Sequence, residues 1–139
     1  MTPKQAEILT AQMLTPFSDE PKSEAKYIVA HLADCEPSQI ILSSKEISRA
    51  SIEEIVLKRR QGTPLQYILG RWWFYKYEFL VGEGVLVPRQ DTEILVESAL
   101  EFIENISKPK VADLCTGSGC IAISIAKERP DCKVSALEL

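Results

Sequence analysis

Residues 111–139 read VADLCTGSGCIAISIAKERPDCKVSALEL and have the pattern of a strand, a glycine turn, a helix and a second strand. Residues 111–114, apolar except for Asp113, predict the first strand, and residues 133–137 predict the second. The Ala- and Ile-rich segment 121–127 between them predicts a helix. Two neighbouring strands that are joined through a helix run parallel, so this segment indicates an α/β fold and the beginning of a parallel sheet.

The glycine turn has the features of a nucleoside-binding loop. Asp113 stands at the end of the first predicted strand, and Gly117 and Gly119 let the backbone approach a ligand closely because they have no Cβ. The helix that follows would direct free N–H groups to the same place. Glu138 follows Gly119 by 19 residues, at the end of the second strand, where a carboxylate can accept hydrogen bonds from both hydroxyls of a ribose.

Two cofactor classes fit this loop, and its charge discriminates between them. Gly117, Gly119 and Ala122 satisfy the GxGxxA pattern of dinucleotide-binding proteins, so an NAD-dependent oxidoreductase is one alternative. Asp113 opposes that alternative, since a carboxylate at the mouth of the turn would repel a pyrophosphate. S-adenosylmethionine has a sulfonium and an ammonium but no phosphate, and an acidic group suits both cations. A third interpretation is a turn of small residues that serves only tight helix–sheet packing.

The N-terminal part of the chain, residues 1–62, is predicted to form a small helical bundle. Ser51 and Glu54 have the spacing of a capping box at the start of its last helix. Helices are expected in four places: residues 4–14, Pro21 to Ala33, a short segment from Pro37, and a helix that ends at residues 58–60, ahead of Gly62.

Residues 63–88 are predicted to be a connector that contains a β-hairpin. Segment 66–87 is rich in aromatic and β-branched side chains, which favour strands. The glycines within residues 82–84 interrupt this run, as the turn of a hairpin does. Pro88 ends the run and with it the connector.

The third predicted segment, residues 89–139, begins with a helix that precedes the strand–turn–helix–strand pattern. Asp91 is the predicted N-cap of this helix. Its expected core-facing stripe consists of four apolar side chains at helical spacing, Leu95, Ala99, Phe102 and Ile106.

Composition and charge exclude several classes of protein. The 139 residues are 45% hydrophobic and 26% charged, which is ordinary for a soluble globular protein. The net charge of −4 is unfavourable for direct binding of nucleic acid. Since no apolar run resembles a membrane span or a signal peptide, we expect a cytoplasmic protein without a membrane partner. The four cysteines form no CxxC pair, and no spacing typical of a metal site occurs.

Three segments resemble the HemK/PrmC family of protein-glutamine N5-methyltransferases. They are GTPLQYILG at residues 62–70, VLVPRQDTE at 85–93 and DLCTGSGCIA at 113–122. The resemblance implies a helical N-terminal domain that recognises the substrate, a hairpin connector, and the start of a class I (Rossmann-like) methyltransferase domain. It also implies S-adenosyl-L-methionine as the cofactor. The implied partners are peptide chain release factors, which are modified at the glutamine of a Gly-Gly-Gln motif.

The resemblance also assigns cofactor-binding roles residue by residue. The family more often has Asp where Glu138 stands, Pro where Gln90 stands and Gly where Lys76 stands. No residue of this chain is expected to be a general base, because orientation of the glutamine amide does most of the work in such a reaction. The acid that opens the loop corresponds to Asp113, and the ribose-binding acid corresponds to Glu138. The cofactor loop itself corresponds to Cys115, Thr116, Gly117, Ser118 and Gly119.

The family's Asn-Pro-Pro-Tyr motif, which holds the glutamine amide, does not occur in the 139 residues. The predicted sheet also stops after its second strand. We therefore expect an N-terminal fragment of a longer enzyme, inactive in methyl transfer by itself. The remaining alternative is a non-enzymatic interaction module, in which the helical domain docks a protein partner.

Overall fold

The structure, a computed structural model, describes residues 1–138 of the chain. The chain divides into two compact units, Met1–Leu69 and Gly70–Leu139. Within the described residues, no helix has both the length and the apolar character that crossing a membrane requires. The segment boundaries predicted at residues 62 and 88 stay predictions.

The first unit is built from helices. The predicted helices over 4–14 and from Pro21 to Ala33 are confirmed. A capping box that was not predicted begins the first of them, because Thr2 and Gln5 each accept the other's backbone N–H with a side-chain oxygen. The elements of the unit are α1 (Pro3–Leu14), α2 (Pro21–Ala33), a 3₁₀ helix (Pro37–Leu42), α3 (Arg49–Arg60) and α4 (Leu65–Leu69).

Helix α3 differs from its prediction at the N-terminus. It begins at Arg49, so Ser51 lies inside the first turn, and the predicted capping box of Ser51 and Glu54 is wrong. Glu54 instead accepts a hydrogen bond from Lys58 at 2.8 Å, because residues four apart on a helix are neighbours. The predicted basic C-terminus is confirmed, since residues 58–60 form the last turn.

An ion pair joins α2 to α3 in the first unit. Arg59 donates from Nε and Nη2 to the two carboxylate oxygens of Glu24, at 3.0 and 2.9 Å. The Arg59 and Glu24 side chains are only 24% and 17% exposed. The hydrogen bond to Glu24 raises the pKa of Arg59. A forked pair of this kind has a strict geometry, so it sets the position of α3 against α2.

In the second unit the hairpin is shorter than predicted and turns at a different place. Strands β1 (Arg71–Phe74) and β2 (Tyr77–Leu80) are antiparallel, and their register leaves only Tyr75 and Lys76 as the turn. The turn expected at residues 82–84 is therefore wrong. Tyr75 adopts a φ of +57°, which glycine and asparagine adopt more readily. A turn without those residues leaves no recognisable signal in the sequence.

Helix α5 (Glu93–Phe102) turns a different face to the core from the predicted one. Val96 is fully buried and Ile103, just after the helix, is buried as well, whereas Phe102 is 81% exposed. Apolar side chains occur on more than one face of α5, so helical spacing allows several stripes and packing selects one. The predicted N-cap is also wrong, because Thr92 occupies that position and Asp91 lies in a preceding 3₁₀ helix. Three members of the predicted stripe are exposed: Leu95, Phe102 and Ile106.

The predicted β–α–β pattern is confirmed. Strand β3 (Lys110–Leu114), helix α6 (Cys120–Glu128) and strand β4 (Lys133–Leu137) follow one another, and β3 pairs with β4 in parallel. The register places Leu114 opposite Leu137, so both strands end at the same edge. The predicted α/β class is thus confirmed, with helices, then a hairpin, then a parallel strand pair. The core of this unit consists of Phe74, Phe79, Val96, Ile103, Cys120 and Ile125.

Candidate cofactor site

The loop between β3 and α6 reverses the chain sharply. Cys115, Gly117 and Gly119 have positive φ angles of +59°, +56° and +77°. This conformation is easy for glycine and sterically unfavourable for other residues. A Cβ on Gly119 would also lie 3.3 Å from Cδ1 of Ile123, which is tighter than ordinary van der Waals contact. Glycine at 119 therefore lets α6 start directly at the loop.

Asp113 holds the loop and caps α6. Its Oδ2 accepts a hydrogen bond from the hydroxyl of Thr116 at 2.7 Å and another from the backbone N–H of Ala122 at 3.2 Å. Gly119, the N-cap residue of α6, has no side chain for this purpose, so a carboxylate from β3 takes the role. Since both hydrogen bonds go to Oδ2, neither of them occupies Oδ1.

Glu138 closes the other side of the loop. Its Oε2 accepts a hydrogen bond from the backbone N–H of Gly117 at 2.6 Å. One residue earlier, the carbonyl of Leu137 accepts the N–H of Thr116 at 3.0 Å. The end of β4 therefore satisfies two successive N–H groups of the loop, and it places a second carboxylate beside it.

Five of the seven predicted site residues share one hydrogen-bond network: Asp113, Thr116, Gly117, Gly119 and Glu138. The other two do not join it through their side chains. Cys115 is exposed and contributes its left-handed backbone to the turn. Ser118 lines a groove beside the hairpin, and burial raises the pKa of the neighbouring Cys120 thiol. No cluster of His, Cys, Asp or Glu within residues 1–138 could hold a metal ion.

A groove between the hairpin and α6 was not predicted from the sequence. Its volume is about 470 Å³, and Ser118 of the glycine loop is among the residues that line it. Trp73, Leu80 and Ile123 expose apolar surface in it. The sequence did not predict the groove because it placed the hairpin turn at residues 82–84. With the turn at Tyr75 and Lys76, residues of β2 and α6 line the groove together.

Two carboxylates anchor the hairpin turn beside α5 and α6. Glu128 accepts hydrogen bonds from Nζ of Lys76 and from the hydroxyl of Tyr77, both at 2.6 Å. The hydrogen bonds from Lys76 and Tyr77 lower the pKa of Glu128. Glu93, at the start of α5, accepts the backbone N–H of Tyr75 at 2.8 Å. The VPRQDTE motif, which contains Glu93, was singled out in the sequence. Only the structure shows that the Glu93 carboxylate binds the backbone N–H of Tyr75.

A β–α–β unit with an acid at each side of a glycine loop is typical of nucleoside-binding α/β domains. Comparison with known proteins identifies the family. The sequence profile of the PrmC N-terminal domain matches residues 5–70 of this chain. That match covers nearly all of the first unit.

Several curated relatives carry the name release factor glutamine methyltransferase. The protein from Thermodesulfovibrio yellowstonii is 39% identical over 120 residues, which cover 83% of this chain and 43% of the relative. The protein from Burkholderia pseudomallei is 39% identical over 137 residues, which cover 96% and 46%. The protein from Chlorobaculum tepidum is 36% identical over 134 residues, which cover 87% and 44%.

These matches extend through both units, and the chain spans less than half the length of each of these relatives. The chain belongs to the HemK/PrmC family of release factor glutamine methyltransferases. The second unit is accordingly the start of a methyltransferase domain, as expected from the three motifs.

Proposed function

We propose that this chain forms the substrate-recognition part and half of the cofactor site of an S-adenosyl-L-methionine-dependent protein methyltransferase. The acceptor is the side-chain amide of the glutamine in the Gly-Gly-Gln motif of peptide chain release factors. Family membership supports the reaction class, and the relatives' shared name supports the acceptor. The protein acts in the cytoplasm and needs no direct contact with nucleic acid.

The choice of cofactor rests on which groups accept hydrogen bonds from the N–H groups of the glycine loop. A pyrophosphate needs free N–H groups at a helix N-terminus. Here the N–H of Gly117 donates to Glu138, and the N–H of Ala122 donates to Asp113. Two N–H groups of the loop are thus already in use, and the carboxylate of Asp113 stands where a pyrophosphate would place negative charge. The geometry therefore favours a ligand with cationic groups and ribose hydroxyls.

The residues present fit such a ligand. Asp113 offers Oδ1 to a cationic group, and Glu138 offers an oxygen to the ribose hydroxyls. Gly117 and Gly119 have no Cβ, so a ligand can approach the backbone closely. When bound, S-adenosylmethionine would supply the methyl group of its sulfonium, whose sulfur would keep the electron pair of the broken C–S bond and leave as the thioether of S-adenosylhomocysteine. The chain's own residues would bind and orient this group, and none of them needs to remove a proton.

The acceptor side of the reaction needs more than these residues. The Asn-Pro-Pro-Tyr motif that holds the glutamine amide in this family is absent from the 139 residues. We therefore expect the chain to transfer no methyl group to a release factor by itself. The first unit, which matches the PrmC N-terminal domain, is the proposed recognition surface for the release factor.

Calorimetric titration tests the cofactor. S-adenosylhomocysteine should release or absorb heat on binding to the 139-residue chain, and NAD should not. Heat with NAD alone would establish the oxidoreductase alternative. Silence from both compounds would contradict the proposal that this chain forms a working half-site.

A charge-removing variant sharpens the test. Asp113→Asn keeps an oxygen for Thr116 and Ala122 but loses the negative charge, so it should weaken S-adenosylhomocysteine binding about tenfold. Glu101→Gln removes an exposed carboxylate on α5, outside the loop, and serves as the matched control. Equal affinities for the two variants would show that the carboxylate of Asp113 does not hold the ligand.

The interaction-module alternative rests on the independence of the first unit, which is compact in itself. It predicts binding of a release factor to residues 1–69 without any cofactor. Binding to this unit, together with silence in the calorimeter, would favour that alternative over the methyltransferase half-site.

A further inference from the structure

Gly117, at the centre of the glycine loop, has open space where a side chain would stand. A Cβ built on Gly117 would meet no atom within 4 Å, although its φ is +56°. At Gly119, by contrast, a Cβ would lie 3.3 Å from Cδ1 of Ile123. Gly117 thus has no side chain that could pack to fix its conformation, and glycine loses more conformational freedom on ordering than any other residue. Hydrogen bonds hold this part of the loop.

We infer that Glu138 is the positioning residue of the glycine loop. Its Oε2 lies 2.6 Å from the N of Gly117, and the preceding carbonyl, of Leu137, holds Thr116. One carboxylate thus has two tasks, since Oε2 orders the loop before any ligand arrives and Oε1 stays available to a ribose hydroxyl. Only the second task rests on the proposed function.

The length of the side chain is part of this inference. Aspartate, which the family more often has at this position, would be shorter by one carbon–carbon bond, roughly 1.5 Å. From a starting distance of 2.6 Å, such a withdrawal takes the oxygen beyond hydrogen-bond range of Gly117. The charge would remain while the contact would be lost.

Selective labelling makes the contact measurable in the ligand-free chain. The chain has six glycines, and Thr116–Gly117 is its only Thr-Gly sequence, so ¹³C-carbonyl threonine with ¹⁵N-glycine isolates the Gly117 amide by NMR. The measurement is the chemical shift of this amide and its hydrogen-exchange rate. The variants are Glu138→Asp, which keeps the charge, Glu138→Gln, which keeps the reach, and Glu138→Ala, which removes both.

The expected order of exchange rates follows from geometry. Glu138→Ala and Glu138→Asp should speed Gly117 exchange about threefold to tenfold and move its resonance. Glu138→Gln should retain much of the protection, because its amide oxygen can still accept. Glu101→Ala is the matched control and should leave Gly117 unchanged. The other five glycine signals show whether each variant is folded.

Either result is informative. Unchanged Gly117 exchange and shift in Glu138→Asp and Glu138→Ala would overturn the positioning role. An effect of Glu138→Gln as large as that of Glu138→Asp would also overturn it, since a side chain of the right reach would then fail to hold the Gly117 amide. If Gly117 responds as expected while S-adenosylhomocysteine fails to bind the wild-type chain, the proposed function fails and the positioning role stands.

Discussion

Phe74 is expected to be the most sensitive aromatic position in the second unit. Its side chain is 1% exposed and meets Phe79 edge to face, with ring centroids 6.1 Å apart. Truncating a buried phenylalanine to alanine loses its burial and leaves a cavity, which together cost about 3–5 kcal/mol. A unit of this size, about 70 residues, has roughly 4–10 kcal/mol of stability. Phe74→Ala should therefore remove about half of the free energy of unfolding.

The matched control is Phe102→Ala, at the exposed position that helical spacing predicted to face the core. Its expected cost is within about 0.5 kcal/mol. Urea titration followed by tryptophan fluorescence measures both variants, because Trp72 and Trp73, the only tryptophans, lie in β1 and report on the second unit. If Phe102→Ala costs as much as Phe74→Ala, the face of α5 that packs inward has been assigned wrongly.

Three further predictions concern polar groups. Ser124 is completely buried, and its hydroxyl has no hydrogen-bond partner in the described chain. Ser124→Ala should therefore raise the free energy of unfolding, measured by fluorescence, by about 1 kcal/mol. A decrease would contradict the absence of a partner. Arg59→Ala leaves the carboxylate of Glu24 uncompensated and should cost about 2 kcal/mol by far-UV circular dichroism, between the values for exposed and buried pairs. Adding Glu24→Gln should recover part of that loss, and no recovery would argue against an uncompensated charge. The hydrogen bond from Arg129 lowers the pKa of Asp131 from 3.8 to about 2, so its stabilisation is complete above about pH 4 and disappears as the pH falls to about 2. Asp131→Asn should lack this part of the acid dependence, and identical acid-unfolding profiles would refute the assignment.

The candidate site shows how far local sequence signals reach. Asp113, the two glycines and Glu138 could be singled out because strand ends, glycine turns and helix starts have short-range signatures. Their hydrogen bonds could not be foreseen. The contact of Asp113 with Ala122 depends on where α6 starts, and that of Glu138 with Gly117 depends on the register of β3 against β4.

The errors have a common origin. The hairpin turn, the N-terminus of α3 and the inward face of α5 each had two locally acceptable solutions. Tyr75 could take the turn in place of the glycines of residues 82–84, and Ser48 could precede α3 in place of Ser51. In each case the choice depended on contacts with other elements, which a short stretch of sequence does not contain.

Local physical chemistry was sufficient for helices α1 and α2, the parallel pairing of β3 and β4, and the position of the glycine loop between them, but not for helix α4. Prolines, glycines and apolar periodicity act over a few residues, so they can be read without the fold. Tertiary packing was needed for the rest. It buried Val96 and exposed Phe102, brought Glu128 to the hairpin, and carried the carboxylate of Glu138 across to Gly117. The hydrogen bonds among these contacts join residues that are 21 to 52 positions apart, and their energies appear only once the chain has folded.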